Sequence, residues 1–206
     1  MITLYGKAAS RASRNLWVLE ELGLEYKHVP YDHNKGETKN PAYMAINPAA
    51  KIPALTDGDV AMTESLGMNL YLAQTYGAGK LWPADALGQA KCIQWTLWSA
   101  TELEPPAVGR LMQLFMTPED KRDMNQVQVF AERTKRTLDT LNIALSKSPF
   151  LAGNAFTVAD INVAAVAEYL VRTKFDLSPW PAVQKWLTAC LERPANQKVM
   201  QMKVAA

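Results

Sequence analysis

A proline turn and a helix start in the first third of the chain have the residue types needed to hold a peptide-like ligand. Ile52 precedes Pro53 and is therefore restricted to extended backbone, and a cis bond between them would turn the main-chain groups of Ile52 outward. An extended ligand could then pair with those groups as an added strand. Further along, Glu64-Ser65 begins a predicted helix. Its dipole, its first N–H groups and the Ser65 hydroxyl favour a bound carboxylate.

The same residues have a second, purely structural interpretation. A proline in a tight turn and a serine at a helix N-cap both occur widely in proteins without any ligand. The spacing alone therefore does not establish a ligand site.

The pattern of the first 76 residues predicts a small mixed domain of strands and helices. A strand, a helix and a second strand follow one another within about thirty residues, which implies a parallel pair of strands. Asp57-Gly58 separates two strand-like runs and predicts a tight hairpin. The predicted elements form a thioredoxin-like arrangement: strands at 2–5, 25–31, 52–56 and 60–63, and helices ending near 22, at 41–45 and at 64–76.

From about residue 87 onward the pattern predicts helices only. The first helix is expected to bend or break at Pro105-Pro106, since proline removes a helical hydrogen bond. Thr117-Pro118, followed by two acids, predicts the start of a long helix that reaches about residue 145. We therefore expect a thioredoxin-like domain at 1–78, a linker at 79–86 and an all-helical domain at 87–206.

The composition is that of an ordinary soluble globular protein, with 49% hydrophobic and 20% charged residues. A net charge of +2 gives no electrostatic argument for nucleic acid or a membrane surface, and neither a signal peptide nor a membrane span is indicated. Cys92 and Cys190 lie in apolar helical segments, so we expect buried free thiols in a cytoplasmic protein. His28 and His33 have no metal-ligand spacing, and no metal is expected.

Three motifs, NP at 47–48, KIPAL at 51–55 and ES at 64–65, resemble the glutathione-binding half of the cytosolic glutathione transferases. The similarity extends over essentially the whole chain and implies that family's fold, a thioredoxin-like domain followed by a helical bundle. It also implies that the bond before Pro53 is cis and that Ile52 pairs with the cysteinyl backbone of glutathione. Glu64 and Ser65 would hold its γ-glutamyl end.

The same resemblance brings two lysines into the predicted site. Lys39 matches one member of a His-Lys pair that reaches the glycyl carboxylate in phi-like sequences, although Thr38 departs from that pair. Lys51 stands just ahead of the proline turn, where the family often has glutamine or lysine. Each is also readily explained as a solvated surface lysine.

Ser10 is the predicted catalytic residue, because its segment, YGKAASRASR at 5–14, looks like that of the serine-type transferases. The match is to the pattern G-x-P-A-S-x-x-T-R of the plant phi class and favours a phi-, beta- or theta-like bacterial member. A hydroxyl donor beside the glutathione sulfur favours the thiolate, which is the nucleophile, and the helix start adds backbone donors. Ala8 departs from the proline of that class, and serine where the beta class has cysteine argues against a mixed-disulfide mechanism. Tyr5, near the tyrosine of the alpha, mu and pi classes, is the alternative donor, and an ordinary N-cap is the structural alternative for Ser10.

The second domain is expected to contribute a pocket for the electrophile, between the loop before the first helix and its own first helices. The side chains of the right type and region are Trp98, Leu111, Met112 and Phe115, although apolar residues at helical spacing are also typical of a core. The run LAGN…TVADI, at 151–161, resembles a folding signature of the family, so Asp160 is expected to be a structural helix anchor. The family also implies a homodimer.

The resulting hypothesis is a glutathione transferase that uses glutathione as co-substrate and attacks small hydrophobic electrophiles. A glutathione-dependent isomerase, lyase or dehalogenase on the same scaffold is one alternative, but Ala9-Ser10-Arg11 does not match the zeta-class motif S-S-C. A non-catalytic interaction or stress module is another, and the presence of Ser10 and of the Glu-Ser pair argues against it. A thioredoxin-type disulfide exchanger is disfavoured because the first domain has no cysteine.

Overall fold

The computed structural model describes residues 1–205 and contains a four-stranded sheet and a set of helices. The sheet has the order β2-β1-β3-β4. The strands are β1 (Ile2–Tyr5), β2 (Tyr26–Val29), β3 (Ala54–Asp57) and β4 (Val60–Met62). The helices are α1 (Ala12–Leu22), α2 (Pro41–Met44), α3 (Ser65–Tyr76), α4 (Ala86–Trp98), α5 (Glu104–Leu111), α6 (Met124–Lys147), α7 (Val158–Arg172), α8 (Pro181–Leu191) and α9 (Pro194–Ala205).

The sheet has the pairing that the sequence predicts. β1 runs parallel to β2, with Ile2 opposite Tyr26, and antiparallel to β3, with Tyr5 opposite Ala54. β3 and β4 form the predicted hairpin, and Gly58 takes a φ of 57° at its turn, which a glycine adopts without a Cβ clash. The thioredoxin-like arrangement is therefore confirmed.

The first helix is amphipathic, as its leucine spacing predicts. Leu16, Leu19 and Leu22 are buried, and α1 contacts both α3 and α9. Gly23 ends α1 in a left-handed conformation (φ 68°), with its N–H donating to the carbonyl groups of Glu20 and Leu19. Each fully buried leucine stabilises the fold by roughly 1.5–3 kcal/mol, so this face holds the helix in place.

The chain divides into two compact units. The first comprises Met1–Trp82 together with the segment from Glu192 onward, and the second is Pro83–Leu191. The C-terminal helix α9, which the sequence analysis assigned to the second domain, contacts α1 of the first unit. Two ion pairs support this contact, Arg193 with Glu21 and Lys198 with Glu20. The predicted domain limits themselves stay a prediction.

The regular α-helix is interrupted just before Pro105 and Pro106, which lie in the first turn of α5. A π-helical stretch, Ser99–Leu103, joins α4 to α5, and a second one, Met112–Met116, follows α5.

The predicted start of the long helix at Thr117 is wrong. The Thr117 hydroxyl donates to the carbonyl oxygen of Met112 and closes the preceding helix, and Glu119–Lys121 forms only a 3-10 turn. α6 begins instead after Asp123, whose carboxylate accepts hydrogen bonds from the N–H groups of Asn125 (2.9 Å) and Gln126 (3.1 Å). The better cap therefore determines the boundary.

The predicted helix start at Thr157 is confirmed, and Asp160 is completely buried there. Cys92 and Cys190 are buried free thiols, as expected, and burial raises the pKa of the Cys92 thiol. Within residues 1–205, no helix is both long and apolar enough to span a membrane.

Candidate active site

The proline turn has the conformation that the resemblance implied. The Ile52–Pro53 bond is cis, Pro53 is buried and Ile52 is half-buried. Gly6 lies against Ile52, since a Cβ on Gly6 would be 3.0 Å from the Ile52 Cβ, and its φ of 123° also requires glycine. Within residues 1–205, neither main-chain group of Ile52 has a hydrogen-bond partner, so both can pair with an extended ligand.

The carbonyl group just ahead of this turn is held by two side chains from the α2 region. The Lys51 carbonyl accepts hydrogen bonds from the Tyr43 hydroxyl and from Asn47 Nδ2, the latter at 2.7 Å. Burial raises the pKa of Tyr43, so its hydroxyl stays a protonated donor. In the sequence Asn47 stands out only as part of the NP motif, and nothing in the local pattern distinguishes Tyr43 from a core tyrosine.

The start of α3 combines an unusual backbone with a buried hydroxyl. Glu64 has φ 66° and ψ 95°, a strained conformation for a residue other than glycine, and its side chain makes no cap hydrogen bond. Ser65 is only 6% exposed. Its Oγ accepts a hydrogen bond of 3.3 Å from Arg14 Nη1, and its carbonyl accepts one of 2.8 Å from Asn15 Nδ2. A carboxylate bound here would meet a hydroxyl and the positive end of a helix dipole.

Ser10 lies in the turn that precedes α1, with its side chain half-buried. Its hydroxyl donates to the Lys7 carbonyl at 2.7 Å, and its Oγ accepts a hydrogen bond of 3.1 Å from the Ala12 N–H. The Ser10 hydroxyl therefore sits at the start of a helix and is already polarised by a backbone donor.

The loop from Gly6 to Ser10 is fixed by contacts to the strand β2 and the residues after it. The Gly6 N–H donates to Val29 O at 2.8 Å, and the Lys7 N–H donates to Tyr31 O at 3.0 Å. His28 Nε2 lies 2.8 Å from the Gly6 carbonyl oxygen, which can only accept, so Nε2 carries the proton. His28 thus has a structural role, where the sequence analysis assigned none.

An ion pair completes this support. Lys7 Nζ lies 2.8 Å from Asp32 Oδ2, and this hydrogen bond holds the pKa of the Asp32 carboxyl below its usual value.

Tyr5, the alternative donor, belongs to an aromatic cluster. Its ring centroid is 6.1 Å from that of Tyr31 and 6.0 Å from that of Tyr43, and its hydroxyl oxygen is 3.4 Å from Thr56 Oγ1. These contacts are with β3, α2 and the end of the β2 segment, whereas the contacts of Ser10 are with the start of α1.

The two predicted lysines are exposed. Lys39 ends the 3-10 turn Glu37–Lys39, next to the buried Thr38, and Lys51 precedes the proline turn. Within the described residues neither ammonium group has an ion-pair partner, so both are available to an anion.

The four residues predicted for the electrophile pocket fall into two places within the second unit. Leu111 ends α5, and Met112 (48% exposed) and Phe115 (59% exposed) follow it in the π-helical stretch. Trp98 lies at the end of α4, about 20 Å earlier along a nearly continuous helical segment. Trp98 lines a different cavity, of about 300 Å³, with the polar side chains of Glu102, Arg133, Arg136, Thr137 and Thr140. The structure therefore separates Trp98 from the other three.

Comparison with known proteins identifies relatives along the whole chain. Residues 1–74 match the family described as glutathione S-transferase, N-terminal domain, and residues 106–194 match the corresponding C-terminal domain. The glutathione S-transferase GstB of Escherichia coli K12 is 30% identical over 208 residues, which span all of both chains. Among solved structures, glutathione transferase F2 of Populus trichocarpa has a TM-score of 0.92 at 26% identity and full coverage of both chains. A glutathione S-transferase-I bound with lactoylglutathione has a TM-score of 0.89 at 29% identity, covering 98% of this chain and 99% of that one.

Proposed function

Because the chain belongs to the cytosolic glutathione transferase family and is a transferase that uses glutathione as co-substrate, we propose a role for one of its serines. In this proposal Ser10 activates the glutathione thiol for attack on small hydrophobic electrophiles. The single observation that carries this proposal is the hydrogen bonding of the Ser10 hydroxyl at the start of α1.

Without a ligand, the Ser10 proton is donated to the Lys7 carbonyl, and the Ala12 N–H donates to the Ser10 oxygen. When glutathione binds, its sulfur takes the place of the Lys7 carbonyl as the acceptor, which requires only a rotation of the hydroxyl. The bond from Ala12 remains and makes Ser10 a stronger donor, because hydrogen bonds in a chain polarise one another. The pKa of the bound thiol falls, since the donor stabilises its charged form.

The chemical step then needs little else from the protein. The glutathione thiol loses its proton to solvent, and the thiolate forms a bond to an electrophilic carbon. The electron pair of the bond that breaks leaves with the departing group or moves to the acceptor end of a double bond. Ser10 keeps its own proton throughout and acts as a hydrogen-bond donor.

The contacts of the two candidate donors favour Ser10 over Tyr5. The Tyr5 ring is part of a tyrosine cluster, and its hydroxyl faces Thr56 of β3. Of these two, only Ser10 combines a donor hydroxyl with the positive end of a helix, and both features lower the pKa of a thiol.

We propose that the rest of glutathione is held as an extended peptide. The unpaired main-chain groups of Ile52, before Pro53, would bind the cysteinyl backbone. Ser65 and the first turn of α3 would bind the γ-glutamyl carboxylate, and the exposed Glu64 carboxylate would bind the adjacent ammonium group. Lys39 and Lys51, both exposed cations, would attract the glycyl carboxylate.

For the electrophile we propose the apolar surface formed by Leu111, Met112 and Phe115. Met112 and Phe115 are large apolar side chains that remain roughly half exposed, and with Leu111 they lie within five residues of one another along the helical segment. Methionine adapts its shape to different ligands, so this surface suits a range of small hydrophobic molecules and a role in detoxification.

We further propose that the protein is a cytoplasmic homodimer. Buried free thiols at Cys92 and Cys190 fit a reducing compartment. α4 exposes three large apolar side chains, Leu87, Ile93 and Leu97, which a second copy would cover. Sedimentation velocity of the wild-type protein and of Leu97→Glu tests this proposal, and a monomeric wild type would contradict it.

The test of the main proposal is the absorbance of the glutathione thiolate as the pH is varied, in wild type, Ser10→Ala and Ser13→Ala. We expect Ser10→Ala to bind glutathione but to raise the pKa of the bound thiol and to lose about 10²–10³-fold in kcat, as removal of one donor to a developing charge does. Ser13 is the next serine of the segment, one turn further on, and its variant should behave as wild type. Equal effects of the two substitutions would overturn the role of Ser10, and a comparable loss in Tyr5→Phe alone would transfer that role to Tyr5.

A further inference from the structure

A polar cavity lies in the second unit, between α6 and the helical segment that leads from α4 to α5. Its volume is about 300 Å³. One wall comes from that helical segment and the other from α6, and the side chains that line them are Trp98, Glu102, Arg133, Arg136, Thr137 and Thr140. None of these described residues has been assigned to glutathione or to activation of its thiol, so the cavity is a separate candidate site.

Two arginines on α6 give this cavity a positive charge that the protein does not pair. Within residues 1–205, no carboxylate lies within ion-pair distance of Arg133 or Arg136, and neither guanidinium group has a hydrogen-bond partner. The adjacent acid of the helix, Glu132, instead accepts hydrogen bonds of 2.8 Å from Lys135 Nζ and from Gln128 Nε2. Because residues three apart on a helix are neighbours on its surface, both arginines can bind one anionic group.

The opposite wall carries an acid. Glu102 is exposed, and no cation of the described chain lies within ion-pair distance of its carboxylate, the two arginines of the cavity included. A space with two cations on one side and an acid on the other suits a ligand with an anionic group at one end and a hydrogen-bond donor at the other. Two positive groups and one negative group are balanced by a monoanion, whereas a zwitterion would leave a positive charge uncompensated.

The indole of Trp98 provides an aromatic part of the wall. This side chain is half-buried, and its ring packs edge-to-face against the buried Trp95, with the centroids 5.0 Å apart and the planes at 77°. The contact holds the indole in place beside the cavity. Indole rings and guanidinium groups both stack on planar aromatic groups, so the wall favours an aromatic ligand over an aliphatic one.

We propose that this cavity binds a small aromatic carboxylate that carries a hydroxyl group at the far end of its ring. Arg133 and Arg136 bind the carboxylate, Trp98 contacts the ring, and Glu102 accepts a hydrogen bond from the hydroxyl. Pockets for small molecules have volumes of roughly 300–1,000 Å³, so a cavity at the lower end of that range holds one small ligand. The site is additional to the proposed function and does not depend on it.

The test is isothermal titration of the full-length protein with 3-(4-hydroxyphenyl)propanoate. This acid is not an electrophile, so the transferase reaction cannot consume it. Two analogues are titrated beside it: the 4-methoxy acid, which lacks the hydroxyl proton, and the corresponding amide, which lacks the negative charge. We expect one molecule of the acid to bind per chain, glutathione not to displace it, and each analogue to bind about five- to tenfold more weakly.

Variants of the cavity locate the ligand. Arg133→Gln and Arg136→Gln should each weaken binding of the acid about fivefold and leave binding of the amide within about twofold of wild type. Glu102→Ala should reduce the preference for the hydroxyl over the methoxy compound about threefold. All three residues are exposed, so their variants should fold. Arg172→Gln, at an exposed arginine of α7 that does not line the cavity, is the matched control and should leave the dissociation constants unchanged.

Several outcomes would overturn this inference. One is the absence of saturable binding to wild type at millimolar concentration, and another is wild-type affinity in both arginine variants. Loss of binding in Phe115→Ala but not in the arginine variants would place the ligand on the proposed electrophile surface instead. If wild type does not bind the acid and the arginine variants dissociate a wild-type dimer, sedimentation velocity would assign Arg133 and Arg136 to a contact between two copies. The proposed role of Ser10 is unaffected by any of these results.

Discussion

Two helix starts in this molecule, those of α3 and α7, use similar residues in opposite ways. At α7 the Asp160 carboxylate accepts four hydrogen bonds, from the N–H groups of Leu151 (3.0 Å) and Thr157 (2.9 Å), the Thr157 hydroxyl (3.1 Å) and the Trp186 indole (2.9 Å). Burial raises the pKa of Asp160, and these bonds act against that shift. The polar groups of this helix start are satisfied within the protein.

The start of α3 is arranged differently. Arg14 and Asn15 donate hydrogen bonds to Ser65. Glu64, in contrast, is exposed, makes no side-chain cap bond and has a strained backbone. We infer that glutathione provides further partners at this helix start. A closed helix start, meaning one whose polar groups are bonded within the protein, stabilises the fold. An open helix start, with an exposed acid next to a hydroxyl, is suited to binding a ligand.

The largest effect that would test this comparison is the loss of Asp160. Asp160→Ala leaves four donors without their acceptor, two of them main-chain groups, and we expect the free energy of unfolding to fall by about 4 kcal/mol. Urea denaturation measures this loss, and the dissociation constant for glutathione of the protein that remains folded should be unchanged.

Asp139→Ala is the matched control, because Asp139 also accepts a hydrogen bond from a tryptophan indole, that of Trp180 at 2.7 Å, but is exposed. We expect it to cost about 1 kcal/mol. Equal losses of unfolding free energy in the two variants would show that the hydrogen bonds around Asp160 contribute no more to stability than a single exposed one.

Ser65→Ala should have the opposite profile. It removes the proposed hydroxyl partner of a carboxylate, and a hydrogen bond to a charged group contributes about 1.5–3 kcal/mol, so glutathione binding should weaken about 10- to 100-fold. The free energy of unfolding should change by about 1 kcal/mol or less.

Thr157→Val removes the hydroxyl at the other helix start and should do the reverse, with lower stability and unchanged affinity. Isothermal titration measures the glutathione affinity of both variants, and urea denaturation measures their stability. If the two substitutions change affinity and stability in the same way, the proposed difference between the two helix starts is wrong.

The parts of the site that the sequence predicts are those with local signals. The cap of α7 follows from the spacing of Thr157 and Asp160, which lie within a few positions of one another. The resemblance of KIPAL to the family motif, which is also a short local segment, implied the cis bond before Pro53. The hairpin at Gly58 and the end of α1 at Gly23 are local in the same sense.

The parts that it does not predict depend on packing between distant segments or on competition between neighbouring ones. The hydrogen bond from Arg14 to Ser65 joins residues 51 positions apart, and no period or motif encodes it. The start of α6 was misplaced because Thr117 and Asp123 are both good caps, and the Thr117 hydroxyl is already used by Met112. A tertiary contact decides the first case, and the hydrogen bond of Thr117 to the end of the preceding helix decides the second.

The smallest predicted effect isolates the backbone of the open helix start. Glu64→Gly and Glu64→Ala both lose the carboxylate, but only glycine relieves the conformation at φ 66°, so the glycine variant should be about 1 kcal/mol more stable than the alanine variant. Lys174, an exposed residue at φ 50° just after α7, offers the matched pair, and the same difference is expected there. The two positions should differ in binding: glycine at 64 lets the unliganded loop leave the binding conformation, and it should weaken glutathione binding about two- to threefold beyond alanine. Neither Lys174 variant should affect the affinity, and equal affinities of the two Glu64 variants would mean that the strained backbone plays no part in preparing the site.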